Sequence, residues 1–338
     1  MSVGLDIGSV TIKAVEIKSE GGRPVLKSAG IIGVKDLSID RIQSNSEYVT
    51  VADTIKRLFA ASKISSKQVN ISLPESLVFT RSIKFPILTD QEIASAVKWQ
   101  AEEIIPIPIK EAIFQHVVLE RKENAQPPFV SVLVVAAPRA LVEKYIKLLG
   151  MAGLTVVGVE TELLALTRAL SVPGQTIVIL DLGAKSTNLG IIKNEKLVFT
   201  RTIPTAGDAF TRAVAQNFGV NTSQADEYKK TYGLSPSQLE GKVANAISPV
   251  FRIITENISK AVHFYQTDEG EEQPSLIEIS GGTAGLPEIN TTLTKLIGSE
   301  VVIANPFSKL VVDENTKQSL NPYAPLYSVA VGLALKEG

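Results

Sequence analysis

Apolar and polar positions change period several times along the chain, and each change marks an element. Gly4-Leu5-Asp6-Ile7-Gly8 reads as a buried strand ending in a turn, and Ile12 to Ile17 alternates like a return strand. Val49, Ala52, Ile55 and Phe59 fall on one helical face, and Val69 to Leu73 is a strand stopped by Pro74. A different pattern then runs from Leu77: a strand to Phe85, a helix from Thr89 or Asp90 to just before Pro106, and strands at 113–120 and 130–136. A helix over 138–149 follows. Thr155 to Val159 and a helix over Leu163 to Leu170 rejoin the first pattern, and Pro173-Gly174 opens the second half. Residues 207–251 read as helices broken at Gly219, Gly233 and Pro236, and 327–335 is a last core helix.

One pattern occurs twice. Ile179-Leu180-Asp181-Leu182-Gly183-Ala184-Lys185-Ser186-Thr187-Asn188 repeats the opening strand, Asp-x-Gly turn and return strand, so the chain reads as two related α/β halves with an inserted α+β unit. Composition narrows the chemistry. The 338 residues include 34 Lys+Arg and 35 Asp+Glu, a net charge of -1 that gives no generic pull toward nucleic acid. With no cysteine and two histidines, thiol catalysis, disulfides and Cys- or His-rich metal sites are excluded. The longest apolar stretch, 130–137, is far shorter than the ~20 residues of a spanning helix. The opening Met1-Ser2-Val3-Gly4 has no basic region ahead of an apolar run, which predicts a cytoplasmic chain without a secretory signal.

The turns carry the candidate chemistry. Gly, Ser and Thr amides between two strands form an anion-binding concavity, and two facing turns suit one polyphosphate. Asp6 and Asp181 at the strand ends would then hold Mg²⁺ or its waters, and Lys13 would neutralise phosphate charge. Each Asp-x-Gly taken alone also suits a plain hairpin cap. A third signal, Ile277-Glu278-Ile279-Ser280-Gly281-Gly282-Thr283-Ala284-Gly285-Leu286-Pro287, is a strand running into a Gly-rich turn and a helix with Pro287 near its first turn. A dinucleotide fingerprint is absent from the first strand and turn.

These three elements, in this order, resemble the phosphate-1, phosphate-2 and adenosine motifs of the actin, Hsp70 and sugar-kinase ATPase superfamily. The resemblance implies an α/β, actin-like two-domain fold of the Hsp70 and FtsA type closing on ATP with Mg²⁺. It places Asp6, Gly8, Ser9, Thr11 and Lys13 at the first phosphate turn. Asp181, Gly183, Lys185, Ser186 and Thr187 fall at the second, and Gly281, Gly282 and Gly285 along the adenosine. Ala206-Gly207-Asp208 matches a Gly-Asp turn near the sugar, and Ala225 to Lys229 matches a helix that touches ribose and adenine. There Lys229 and either Asp226 or Glu227 would reach the ligand, although such charges also suit a solvated helix face. Glu162, with Glu160 next, is the candidate for orienting an attacking water.

Within the superfamily, the segment Thr80 to Ile93, with Ala101-Glu102-Glu103-Ile104-Ile105-Pro106-Ile107-Pro108, resembles the PilM family of type IV pilus assembly proteins. The connecting segment Val159 to Leu170 is similar too. That resemblance implies subdomain 1A over 1–76, 153–175 and 324–338, and an inserted subdomain 1C over 77–152. Subdomain 2A would cover 176–206 and 257–323, and 2B 207–256. It implies a cytoplasmic ATP-binding scaffold of the pilus platform, peripheral at the inner membrane face through its partners. The named partner is the N-terminal cytoplasmic tail of PilN, with other platform proteins beside it. The tail would lie in a groove drawn from Phe79, Ile83, Phe85, Ile104, Ile105 and Tyr145. Trp99 reads as a helix-packing residue. Only Lys336-Glu337-Gly338 follow the last helix, so no direct membrane insertion is expected, in contrast to the terminal helix of FtsA. Slow hydrolysis at most is expected. An FtsA-like polymer and, less favoured, a metabolite kinase are the alternatives.

Overall fold

The computed structural model describes residues 1–267 and 270–336; Glu337 and Gly338, counted above after the last helix, lie outside the described residues. The first half opens with β1 (Ser2–Ile7), β2 (Thr11–Glu20), β3 (Arg23–Gly33), α1 (Asn45–Ala61) and β4 (Gln68–Leu73). The inserted unit follows: β5 (Phe79–Phe85), α2 (Asp90–Ile104), β6 (Ala112–Lys122) and β7 (Phe129–Pro138), with α3 (Arg139–Met151) leading back. β8 (Thr155–Thr161) completes the first sheet and α4 (Glu162–Leu170) leads out of it. The second half contains β9 (Thr176–Leu182), β10 (Thr187–Lys193), β11 (Lys196–Ile203), α5 (Gly207–Phe218), α6 (Thr222–Tyr232) and α7 (Lys242–Thr267). Next come β12 (Leu276–Ser280), α8 (Ile289–Ile297), β13 (Val301–Ile303), α9 (Glu314–Leu320) and α10 (Ser328–Ala334).

The repeat read from the sequence is a repeat of topology. The first sheet has the order β3-β2-β1-β4-β8 and the second β11-β10-β9-β12-β13. In each, a three-stranded antiparallel meander continues into two parallel strands, which need helical crossovers. Near-continuous apolar runs such as Ile177 to Leu180 are what a sheet covered on both faces requires. α10 packs against both β1 and α4, and at Gly332 a Cβ would sit 1.9 Å from the Ala165 carbonyl oxygen, so only glycine permits that approach.

Helix starts follow their capping chemistry. Ser44 and Glu47 form a reciprocal capping box at the start of α1. Thr89 caps α2 in the same way: its N–H donates to Glu92 Oε2 at 2.8 Å, and the Glu92 N–H returns to Thr89 Oγ1. Glycines in left-handed backbone end α5 at Gly219 and follow α6 at Gly233, two of the breaks expected.

Several local expectations are corrected. Tyr48, not Val49, completes the buried face of α1, leaving Val49 42% exposed. β5 begins at Phe79 because residues 75–77 form a 3₁₀ turn. The Gly-rich turn after β12 is also a short 3₁₀ element, and α8 begins two residues beyond Pro287. Trp99 does not pack: on the outer face of α2 it is 80% exposed.

The inserted sheet, β5-β7-β6, is antiparallel. α2 covers one face, where Val130, Val132, Val134 and Ala136 of β7 meet Ile93 and Val97. Phe85 and Ile105 lie in this core, so neither is available to line a groove. Tyr145 is buried in the first half's core, while Phe79, Ile83 and Ile104 are half-buried. On the other face Leu119 and Leu133 join Leu163, Ile192 and Leu197, so the insert rests on the second half as well as its own. Polar contacts reinforce this seam. Thr200 Oγ1 donates to the Thr80 carbonyl at 3.0 Å and Lys196 Nζ to that of Leu119 at 2.5 Å. Glu271 takes Lys122 at 2.7 Å and Lys193 at 2.5 Å.

Candidate functional site

The two hairpin turns have one geometry. The Gly8 N–H donates to the Thr11 carbonyl at 3.1 Å, and the Gly183 N–H to that of Ser186 at 3.1 Å. Both border one cavity of about 520 Å³, within the range of small-molecule sites. Asp6, Gly8, Ser9, Thr11 and Lys13 line it from the first half, and Asp181, Gly183, Lys185 and Ser186 from the second. Gly207, Asp226, Lys229, Gly281 and Gly282 line it as well, and Glu162 enters from the start of α4.

Two of the expected residues do not reach the cavity. Thr187 is fully buried and its Oγ1 donates to the Thr205 carbonyl at 2.8 Å, which ties the turn to the next segment. Gly285 lies exposed at the far end of its 3₁₀ turn, away from the lining. Between the two candidates on α6, Asp226 faces the cavity and Glu227 is exposed outside it. Glu160 is bound instead by Arg168 at 2.8 Å and Lys336 at 3.4 Å, away from the cavity.

Close packing holds the wall of the second half. The Gly207 N–H and Thr283 Oγ1 both donate to the Gly183 carbonyl, at 3.2 and 2.8 Å, and the Asp208 N–H donates to that of Ala184 at 2.8 Å. Gly281 has φ of 87°, and a Cβ there would come within 2.7 Å of Asp181 Oδ1. Lys229 is buried, with Nζ on Asp226 at 2.6 Å and on Thr211 Oγ1 at 2.8 Å. Lys185 reaches across the cleft to the exposed Asp36 at 2.5 Å.

The floor is acidic. Lys13 Nζ meets Asp6 Oδ2 at 2.8 Å with both groups buried. Asp181 makes no ion pair among the described residues; burial and the Asp6 charge push its carboxyl up to about 6, against the pull of Lys13 and Asn188. Burial, followed by the Asp181, Asp6 and Glu75 charges, raises Glu162 well above the carboxylate range. Two donors hold its Oε2, the Asn188 side-chain amide at 3.1 Å and the Glu75 N–H at 3.3 Å. Glu75 in turn accepts from the Leu163 N–H at 2.9 Å, and burial raises it as well. Among the described residues no three acidic or histidine side chains come together to hold a metal ion by themselves.

Sequence reasoning missed Glu75 and Asn188. A carboxylate after a strand-ending proline reads as a surface turn, and nothing local marks it as buried. Asn188 did have a signal: it lies seven residues after Asp181 (188 minus 181), where Lys13 lies seven after Asp6 (13 minus 6), and each pair faces across its hairpin.

Comparison with known proteins supports the same fold. The chain is 23% identical to the cell division protein FtsA of Streptococcus pneumoniae, over 90% of this chain and 75% of that protein. It superimposes with a TM-score of 0.54 on MreB 5 of Spiroplasma citri bound to AMPPNP, at 15% identity over 98% of this chain and 93% of that one. A chain of a PilM-PilN type IV pilus biogenesis complex matches with a TM-score of 0.85 and 28% identity, over 99% of this chain and 97% of the other. No helix among the described residues is long and apolar enough to cross a membrane. Residues 4–338 match the model of the family described as type IV pilus assembly protein PilM, and with its actin-like fold the chain belongs to that family.

Proposed function

We propose that this chain is an ATP-binding adaptor of the type IV pilus assembly platform, with its cavity for Mg·ATP and its inserted unit for the cytoplasmic tail of a PilN-type membrane protein. The observation that carries the reading is the pair of like turns bordering one cavity above two buried aspartates. The turn amides with Ser9, Thr11 and Ser186 suit phosphate oxygens, and Lys13 and Lys185 its charge. Asp6 and Asp181 would hold Mg²⁺ that arrives on the phosphates. Gly207, Asp226, Lys229, Gly281 and Gly282 would border the nucleoside.

Glu162 would orient a water, but burial and the neighbouring Asp181, Asp6 and Glu75 charges raise its carboxyl and so disfavour the charged form a proton acceptor needs. Slow turnover follows, which suits a reporter of nucleotide state. The solved relative is a complex with PilN, and we extend that partner to this chain. The insert, taken as residues 77–152, would be the recognition unit, with Phe79, Ile83 and Ile104 retaining the partly exposed apolar surface an extended tail needs. The protein would then sit at the inner membrane face through its partner. Mixing excess protein with Mg·ATP and following bound nucleotide and released phosphate tests the reading. Tight binding with little phosphate, lost in Asp181→Ala, is expected; an intact protein that binds no nucleotide overturns it.

A further inference from the structure

Trp99 is out of keeping with the rest of the surface. A tryptophan in the middle of a 15-residue helix is 80% exposed, while the opposite face of the same helix buries Ile93 and Val97 completely or nearly so. Exposed tryptophans are rare on surfaces that face only water and common at the centre of contacts, where a large rigid apolar group is anchored. The neighbours of Trp99 have a definite charge. Glu102 and Glu103 lie three and four residues on, hence beside it on the helix, and both are exposed. Neither makes an ion pair among the described residues, and Lys98 is the one cation adjacent in sequence.

A surface of the opposite character lies on the first half, where the C-terminal end of α1 meets the segments that follow α1 and α3. A pocket of about 240 Å³ has a floor of Ile55, Phe59, Ala152 and Leu154, all buried, and a rim that includes the exposed Lys56 and Lys67. Lys67 has no ion pair among the described residues, and Lys56 has only an exposed pairing with Asp53. The pocket has room for an indole ring, its floor is apolar, and its rim carries two ammonium groups of the sign that suits carboxylates beside an inserted tryptophan.

We propose that Trp99 of one copy of this chain seats in the Ile55–Phe59 pocket of a second copy, with Glu102 and Glu103 against Lys56 and Lys67. Knob and pocket are different surfaces of one molecule. The contact proposed is heterologous, one knob in one pocket, so it adds copies head to tail as a ring or an open chain; the reciprocal two-fold pair is the alternative that the mass series tests. This is independent of whether the central cavity binds nucleotide.

The experiment is the solution mass of the full chain across a concentration series into the high-micromolar range, by sedimentation, for wild type, Trp99→Ala and the double variant Lys56→Glu/Lys67→Glu. Wild type should grow past the dimer, and each variant should lose apparent association by at least about tenfold, as for an interface anchor. Circular dichroism identifies a variant that fails to fold, and Trp99→Ala removes a side chain the fold does not use. An equal mixture of the two variants separates this assignment from a general loss of stickiness. One variant retains the knob and the other the pocket, so the mixture should stop at a heterodimer. Reversing Glu102 and Glu103 to lysine in the lysine-to-glutamate background should restore growth. A wild type that stays monomeric, a species that stops at a symmetric dimer, or a Trp99→Ala variant that assembles like wild type would each overturn the proposal.

Discussion

At the end of β1, Asp6 meets Lys13 across its hairpin at 2.8 Å; at the end of β9, the equivalent Asp181 faces Asn188. The turns above them share one hydrogen-bond pattern, so at this point the halves differ in charge more than in backbone. The first half carries its own counter-ion. The second leaves a buried carboxylate pushed up to about 6, beside Glu162 and Glu75, which are raised too. A floor that is overcharged when both aspartates ionise is a floor that gains stability from an added cation. The duplicated fold thus supplies two equivalent turns, and one difference, lysine against asparagine, leaves only the second aspartate without a buried counter-ion across its hairpin.

Neutralising each aspartate in turn should break the apparent equivalence most visibly. Asp6→Asn removes the partner of the buried Lys13 and should destabilise the protein by about 3 kcal/mol, because an ammonium group is left buried and unpaired. Asp181→Asn should act in the opposite sense. It removes a carboxylate whose ionisation the fold opposes, and should stabilise the ligand-free protein at pH 7 by about 1–2 kcal/mol. Urea unfolding of the two variants measures both values. Equal destabilisation would show that the two sites are electrostatically alike after all.

A pH series sharpens the same contrast with a smaller effect. Asp181 titrates near 3.8 when unfolded and near 6 when folded, so between those values the folded state binds more protons. Its contribution is fully present below about pH 4 and is lost as pH rises through about 6. The ligand-free wild type should therefore lose melting temperature across that window relative to Asp181→Asn, which lacks the titration. Stabilisation by Mg²⁺ with nucleotide should run the other way, growing as Asp181 ionises. Parallel melting curves for the two proteins would remove Asp181 from the account.

Much of this was legible in the sequence, for reasons that differ by residue. The repeated strand–turn–strand pattern located both turns, because period and turn chemistry are local, and Asp6, Gly8, Asp181 and Gly183 of those turns line the cavity. Thr187 failed because the register of β10 turns its hydroxyl toward Thr205, a choice made by the next segment of chain. Glu75 was invisible because its burial depends on α4, nearly ninety positions away in sequence. Trp99 was misread because helical spacing shows which residues share a face, and only the packing of the inserted sheet decides which face is covered. Local rules thus gave the elements, while the long-range partners decided burial.

The smallest expected effect concerns how the unequal halves stay in register. The inserted unit belongs by chain connectivity to the first half, yet Leu119 and Leu133 share a core with Ile192 and Leu197 of the second, and Glu271 bridges Lys122 and Lys193 beside it. Burial opposes the charge on Glu271, yet the two lysines together hold its carboxyl below the ordinary glutamate value. Glu271→Gln keeps its shape and removes its charge. A partly exposed bridge contributes little, and the loss should be about 1 kcal/mol, more at low salt than at high. The cost should be local: hydrogen exchange should quicken at the facing ends of β6 and β10, while the Gly8 and Gly183 amides, held by their own turns, keep their protection. If the turns loosened together with the seam, the insert would be a structural part of the cavity, and the two halves could not be described as separate bodies joined across it.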